Sequence, residues 1–165
     1  LTFEHDFKGV EIYATNCRGN VFVVQPSKIN ENMLGLFTVN DLEKDTFVDN
    51  YCGFQTQNYD KHKMSPYAFG LPDNKSLVNP LYNISLDKDK KNKVKKASIF
   101  YNNFVMYLNE PPKNTFANVY STGTKDHKQI QYRTCKDIKA GSELFVHYGS
   151  LYIRNYDFGY PCSAY

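Results

Sequence analysis

Tryptophan is absent from the 165 residues, and no stretch approaches the roughly 18 apolar residues that a membrane-spanning helix needs. Nothing therefore points to a bilayer or a membrane partner. The opening residues, Leu1-Thr2-Phe3-Glu4-His5-Asp6, lack the basic-then-apolar order of a secretory signal. Without that signal, Asn74-Lys75-Ser76 and Asn83-Ile84-Ser85 read as chance matches to the glycosylation triplet. Cysteine is sparse: Cys17, Cys52, Cys135 and Cys162 include no CxxC pair, so spacing assigns no metal site. Isolated thiols of this kind read as the reduced cysteines of an intracellular protein, nuclear or cytoplasmic, with disulfides as the alternative. A strong excess of one charge is also missing, since the formal net charge is +3. Only Lys88-Asp89-Lys90-Lys91-Asn92-Lys93-Val94-Lys95-Lys96 is locally basic, and such a run reads first as a solvated loop and second as a nucleic-acid contact.

What the chain does hold is aromatic: 14 Tyr and 12 Phe, residue types that favour pleated, half-buried surfaces. The length fits one domain, 1–165, with a core over about 9–153 and an aromatic tail over 154–165. The expected fold class is mainly β with few short helices. Val10 to Tyr13 and Val21 to Val24 read as strands around a Gly19-Asn20 turn. Leu34 to Phe37 and Thr46 to Tyr51 follow, joined by Asp41 to Asp45. Tyr67 to Leu71 and Ser76 to Val78 read as a hairpin around Pro72-Asp73-Asn74. Ala97 to Leu108 is the best helix candidate, after which Thr115 to Ser121, Gln129 to Thr134 and Leu144 to Tyr148 return to strand character.

Four short segments stand in order along this framework. Ser27 to Thr38 contains Ser27-Lys28-Ile29 and Gly35-Leu36-Phe37. Tyr51-Cys52-Gly53 comes next, then Asn103-Phe104-Val105-Met106-Tyr107-Leu108-Asn109-Glu110, with Asn118 beyond it. Glu143-Leu144-Phe145-Val146-His147-Tyr148-Gly149 closes the series. Together they resemble the "S-x-I…G-x-G-V-F-A", "Y-x-G", "N-x-A-R-F-I-N-H" and "E-L-x-x-x-Y-G" segments of the SET domain of protein lysine methyltransferases.

The resemblance implies several small sheets with a knot-like C-terminal crossing, and transfer of a methyl group from S-adenosylmethionine to a lysine of a protein or peptide, a histone tail among the candidates. It gives Tyr148 the place where transfer occurs and sets Tyr51 in the lysine pocket. Main chain around Met33, Leu34, Gly35 and Leu36 would approach the cofactor. Asn109 would bind its amino-acid portion, backbone at Asn109 and Glu110 would read the adenine edge, and Tyr67 is a further contact. No metal is required. Taken without that context, Gly35 reads equally as a strand bulge and Tyr51 as core. His147 is expected on the opposite strand face from Tyr148.

The pattern is also broken. Met33 stands where the family usually has glycine, Glu110 where it has histidine and Met106 where it often has arginine, and no cysteine cluster follows Tyr148. A degenerate SET-like module that binds a peptide without methylating it is the alternative, and a basic nucleic-acid-binding domain is a third. Between Tyr152 and Tyr165 five aromatics crowd the tail, which is expected to fold back beside Tyr148 as a wall of the pocket unless it merely completes the core.

Overall fold

The structure is a computed structural model that describes residues 7–51, 54–56, 69–70, 77–79, 103–125 and 129–163. The chain is mainly β; among the described residues it forms three small sheets, and the helical content is one 3-10 turn, Phe104–Tyr107. β1 (Ile12–Thr15), β2 (Val21–Pro26) and β3 (Leu34–Thr38) form an antiparallel meander. β4 (Phe47–Asn50), β8 (Val119–Gly123) and β9 (Ile130–Thr134) make a second sheet in the order β4-β9-β8. β5 (Phe54–Thr56), β6 (Phe69–Gly70) and β7 (Leu77–Asn79) make the third, in the order β5-β7-β6.

The chain divides into two compact units. One comprises Leu1–Asp49, Tyr107–Ser121 and Tyr132–Tyr165; the other comprises Asn50–Met106 and Thr122–Gln131. In the first unit the β1–β2 turn is set by Gly19, whose φ of 82° favours glycine, and by Asn16. The Asn16 Oδ1 accepts from the Arg18 and Asn20 main-chain N–H groups at 3.0 Å each, while its Nδ2 donates to the Phe47 and Val48 carbonyls. One buried amide thus shapes a turn and ties it to β4. β2 supplies Phe22, Val23 and Val24 to the core and β3 supplies Leu36 and Phe37, and Leu108, Leu144 and Val146 of the same unit are buried as well. In the second unit Tyr51 is buried, its N–H donating to Ile130 O at 2.7 Å, and Phe104, Val105 and Met106 are buried on the 3-10 turn.

Several expectations shift. The helix foreseen over 97–108 is described only at its end, where it is the 3-10 turn. The hairpin foreseen over 67–78 has its strands in β6 and β7, paired antiparallel with Gly70 opposite Leu77. Tyr67, Cys52, Gly53, the Pro72-Asp73-Asn74 turn and the lysine run at 88–96 lie outside the described residues. The strand foreseen over 144–148 is no regular strand. Glu143 bridges Phe37, Phe145 bridges Asn109 and Val146 bridges Val119, so successive residues serve different neighbours and no single ladder forms. The reading of the cysteines as reduced is corrected as well: Cys135 and Cys162 form a disulfide across a sequence separation of 27, and Cys17 is free and exposed.

Candidate functional site

Residues 143–149 thread between β3, the 108–110 segment and β8, gathering within the first unit most of the residues singled out from sequence. Alternation alone would not hold such an irregular segment, because its main-chain groups need partners from several directions. The Leu144 N–H donates to Leu36 O at 2.7 Å and the Val146 N–H to Asn109 O at 2.9 Å. Asn118 stands in for a missing strand: its Nδ2 donates to Glu143 O at 2.9 Å and its Oδ1 accepts from the Phe145 N–H at 2.7 Å.

Glu143 organises the side that faces β3 and the loop before it. Its buried carboxylate accepts from the Ser27 hydroxyl at 2.7 Å, the Lys28 N–H at 2.9 Å and Asn109 Nδ2 at 3.3 Å. Gly35 pairs with Gln25 in regular β2–β3 register, so it is not a bulge. A Cβ built there would lie 2.2 Å from Glu143 Oε1, and glycine is what lets the carboxylate approach. Asn109 Nδ2 also donates to Leu34 O at 3.0 Å, while no hydrogen bond among the described residues uses its Oδ1. Leu36 is fully buried; Met33 is exposed, and its carbonyl accepts from the Ser27 N–H at 2.8 Å.

Tyr148 is held at both ends. Its hydroxyl donates to Leu108 O at 2.6 Å, and its N–H donates to Glu110 Oε1 at 2.8 Å. Glu110, the departure from the family's histidine, is buried and paired. Arg154 Nε donates to its Oε2 at 2.7 Å, Arg154 Nη2 to its Oε1 at 2.5 Å, and the Tyr156 hydroxyl to its Oε2 at 2.9 Å. Burial pushes the Glu110 carboxyl up, but the hydrogen bonds from Arg154, the Tyr148 N–H and Tyr156 outweigh it, and the group is held below its ordinary range. Burial and the bond to Glu110 push the Tyr156 hydroxyl well above its ordinary value.

The tail does fold back. Tyr152 packs edge-on against Tyr148 at 5.0 Å between centroids, and His147, half-buried, meets Phe158 at 5.7 Å. The opposite-face argument for His147 falls with the strand it assumed. Farther along, Tyr160 bridges Phe116 and Gly159 N–H donates to Pro111 O at 2.7 Å, ahead of the disulfide. Glu143, Asn118 and Arg154 were missed as site-builders. The first two sit in or near the sequence segments, and a buried acid within a motif was the available signal for Glu143; nothing in the sequence marked Arg154 as the partner of Glu110. Tyr51 lies in the second unit, as already described. Among the described residues no His/Cys/Asp/Glu cluster could hold a metal ion, and no helix is long and apolar enough to cross a membrane.

Comparison with known proteins places this arrangement. The methyltransferase domain of human PR domain-containing protein 2 matches with 17% identity and a TM-score of 0.54, over 82% of this chain and 81% of that one. Chaetomium thermophilum polycomb repressive complex 2, in an autoinhibited conformation bound to S-adenosylmethionine, matches with 23% identity and a TM-score of 0.56, over 81% of this chain and 16% of that one. The same complex with H3K27me3 and H3K27M matches with 22% identity and a TM-score of 0.55, over 91% of this chain and 17% of that one. The chain thus spans about a sixth of the polycomb chains it matches, and at these identities the likeness is one of fold. No match was found among curated protein sequences. The family model of the SET domain matches residues 33–149, from the β3 loop through Tyr148 to Gly149. The chain belongs to the SET-domain family.

Proposed function

We propose that this domain transfers a methyl group from S-adenosylmethionine to a lysine side chain of a protein. The observation that carries the reading is the anchoring of Tyr148, whose hydroxyl proton is committed to Leu108 O. With its proton so directed, the phenolic oxygen turns its lone pairs away from Leu108, as an acceptor able to orient an amine N–H. Alignment is most of what such a displacement asks of a protein. The target lysine must be neutral, against a free pKa of about 10.4, and an apolar aromatic wall disfavours its charged form. Tyr152, packed on Tyr148, supplies part of such a wall.

The residues fit the cofactor on two counts. Asn109 has its Nδ2 engaged by Leu34 and Glu143, which leaves Oδ1 as a neutral acceptor suited to an ammonium. Glu110, which as a bare carboxylate would oppose an acceptor-rich adenine edge, is neutralised by Arg154. Asn109 and the main chain at Met33 and Leu34 would hold the amino-acid portion, with backbone at Asn109 and Glu110 beside the adenine. Bound there, S-adenosylmethionine supplies an electrophilic methyl on a sulfonium.

The neighbour in complex with H3K27me3 makes a histone-tail lysine the first substrate to test. Calorimetry with S-adenosylmethionine should show binding, and mass spectrometry of histone H3 peptides should show the mass increment of one added CH2 at lysine. Tyr148→Phe keeps the ring, so the protein should stay folded while transfer falls ~100-fold or more, the scale on which a lost transition-state hydrogen bond is felt. Equal transfer by the Phe variant would remove Tyr148 from the role. A second reading, a SET-like module that binds peptide without methylating it, draws on the Gly35 space being taken by this chain's own Glu143. Peptide binding with no S-adenosylmethionine binding would favour it.

A further inference from the structure

We propose that Glu110 and Arg154 act together as a clamp that positions Tyr148, so that a tail residue sets the geometry of the reacting hydroxyl. The inference rests on the reading of Tyr148 given above. Glu110 Oε1 accepts the Tyr148 N–H at 2.8 Å, and Arg154 Nη2 donates to the carbonyl of the following residue, Gly149 O, at 2.8 Å. The two charged groups therefore hold the Tyr148–Gly149 dipeptide at its entry and its exit while bonding to each other. Gly149 has φ of 90° and its N–H donates to His147 Nδ1 at 3.0 Å, so the turn is closed from within its own segment and the clamp fixes its outer side. The Tyr148 hydroxyl returns to Leu108 O, two residues before Glu110. Ring and main chain are thus referenced to the same short span, 108–110.

Arg154 is itself fixed. Its guanidinium stacks over Phe158 at 4.0 Å and Tyr152 at 5.4 Å, and Nη1 donates to Tyr152 O at 2.6 Å. Both partners are nearly excluded from solvent, with side-chain exposures of 7% for Arg154 and 2% for Glu110. A planar fork with two donors to one carboxylate and a third to a carbonyl is something lysine cannot reproduce. Glu110 and Arg154 would then be positioning residues that act on the reaction through Tyr148.

The test labels the protein with 3-fluorotyrosine and assigns Tyr148 by the fluorine resonance that Tyr148→Phe removes. Glu110→Gln and Arg154→Lys should each shift or broaden that resonance. Turnover should fall ~10-fold or more at saturating cofactor and peptide, with KM for the cofactor within about twofold of the parent. Cys162→Ser is the control for a merely structural loss. It should lower the melting temperature while leaving the Tyr148 resonance in place. Should Glu110→Gln fail to fold, Arg154→Lys, which keeps the charge, carries the test alone. A Tyr148 resonance unmoved in folded Arg154→Lys protein, or turnover unchanged there, would overturn the clamp. If the parent protein methylates nothing, the proposed function falls while the fluorine readout still decides the clamp.

Discussion

At the scale of single residues, two buried carboxylates do most to fix the site, and each is met differently. Glu143 is accommodated by an absence, the missing side chain of Gly35. Gly35→Ala would set a Cβ 2.2 Å from Glu143 Oε1, so the carboxylate or the strand has to move. Overpacking of this kind costs about 1–3 kcal/mol, and denaturant unfolding should show it. Glu143→Asp shortens the opposing arm, so the double variant should lose less than the sum of the singles. Glu110 is accommodated by Arg154. Because its carboxyl is held below the ordinary value near 4.5, its contribution to stability is present above that value and is lost as pH falls through the lower folded one. Melting temperature should therefore drop on acidification from about pH 5 to 3, and Glu110→Gln should flatten that slope. A slope unchanged in the Gln variant would assign acid lability to other carboxylates.

At the scale of elements, strands with their own alternation or turn signal were legible in the sequence, β4 and β9 included although they pair across a long stretch of chain, while the irregular segment at 143–149 was not. The Gly19-Asn20 turn announced β1 and β2 because its determinants lie within a few residues. The segment at 144–148 alternates like a strand, yet its partners come from three places, and alternation carries no record of partners. Tyr148 and Asn109 were singled out through their order among short motifs; Arg154 was not, because an ion pair spanning 44 residues leaves no periodic trace. The Cys135–Cys162 link was missed for the same reason, since two scattered thiols look alike whether or not the fold brings them together. That link closes a loop of 27 residues, for which chain entropy gives about 3–4 kcal/mol. Cys162→Ser should lose stability on that scale in chemical denaturation. Hydrogen exchange should then quicken at Ala117 and Tyr160, whose N–H groups pair the tail to the 115–117 segment.

At the scale of the molecule, the first unit is assembled from three separated pieces of chain, and its carboxy-terminal piece is part of its framework. Ser27 and Glu143, hydrogen-bonded to each other, stand 116 residues apart, so the site exists only once a long loop has closed. The tail contributes in two parts with different consequences. Residues 155–163 bring Tyr156, Phe158, the Tyr160 pairing and the disulfide, while Arg154 brings the charge opposite Glu110. Ending the chain after Arg154 removes the first part and keeps the second. The protein should stay folded with a melting temperature lower by at least about 10 °C, the equivalent at this size of the 3–4 kcal/mol of the disulfide alone. Tyr152 remains against Tyr148, so S-adenosylmethionine binding should persist. Ending it after Gly149 also strips Glu110 of its partner, and a buried carboxylate left uncompensated costs a further 3–5 kcal/mol or so. That shorter chain should unfold at ambient temperature or lose cofactor binding outright, and Glu110→Leu in the same truncation should restore folding without restoring activity. Two truncations of equal stability and equal binding would show that Arg154 contributes nothing beyond the rest of the tail.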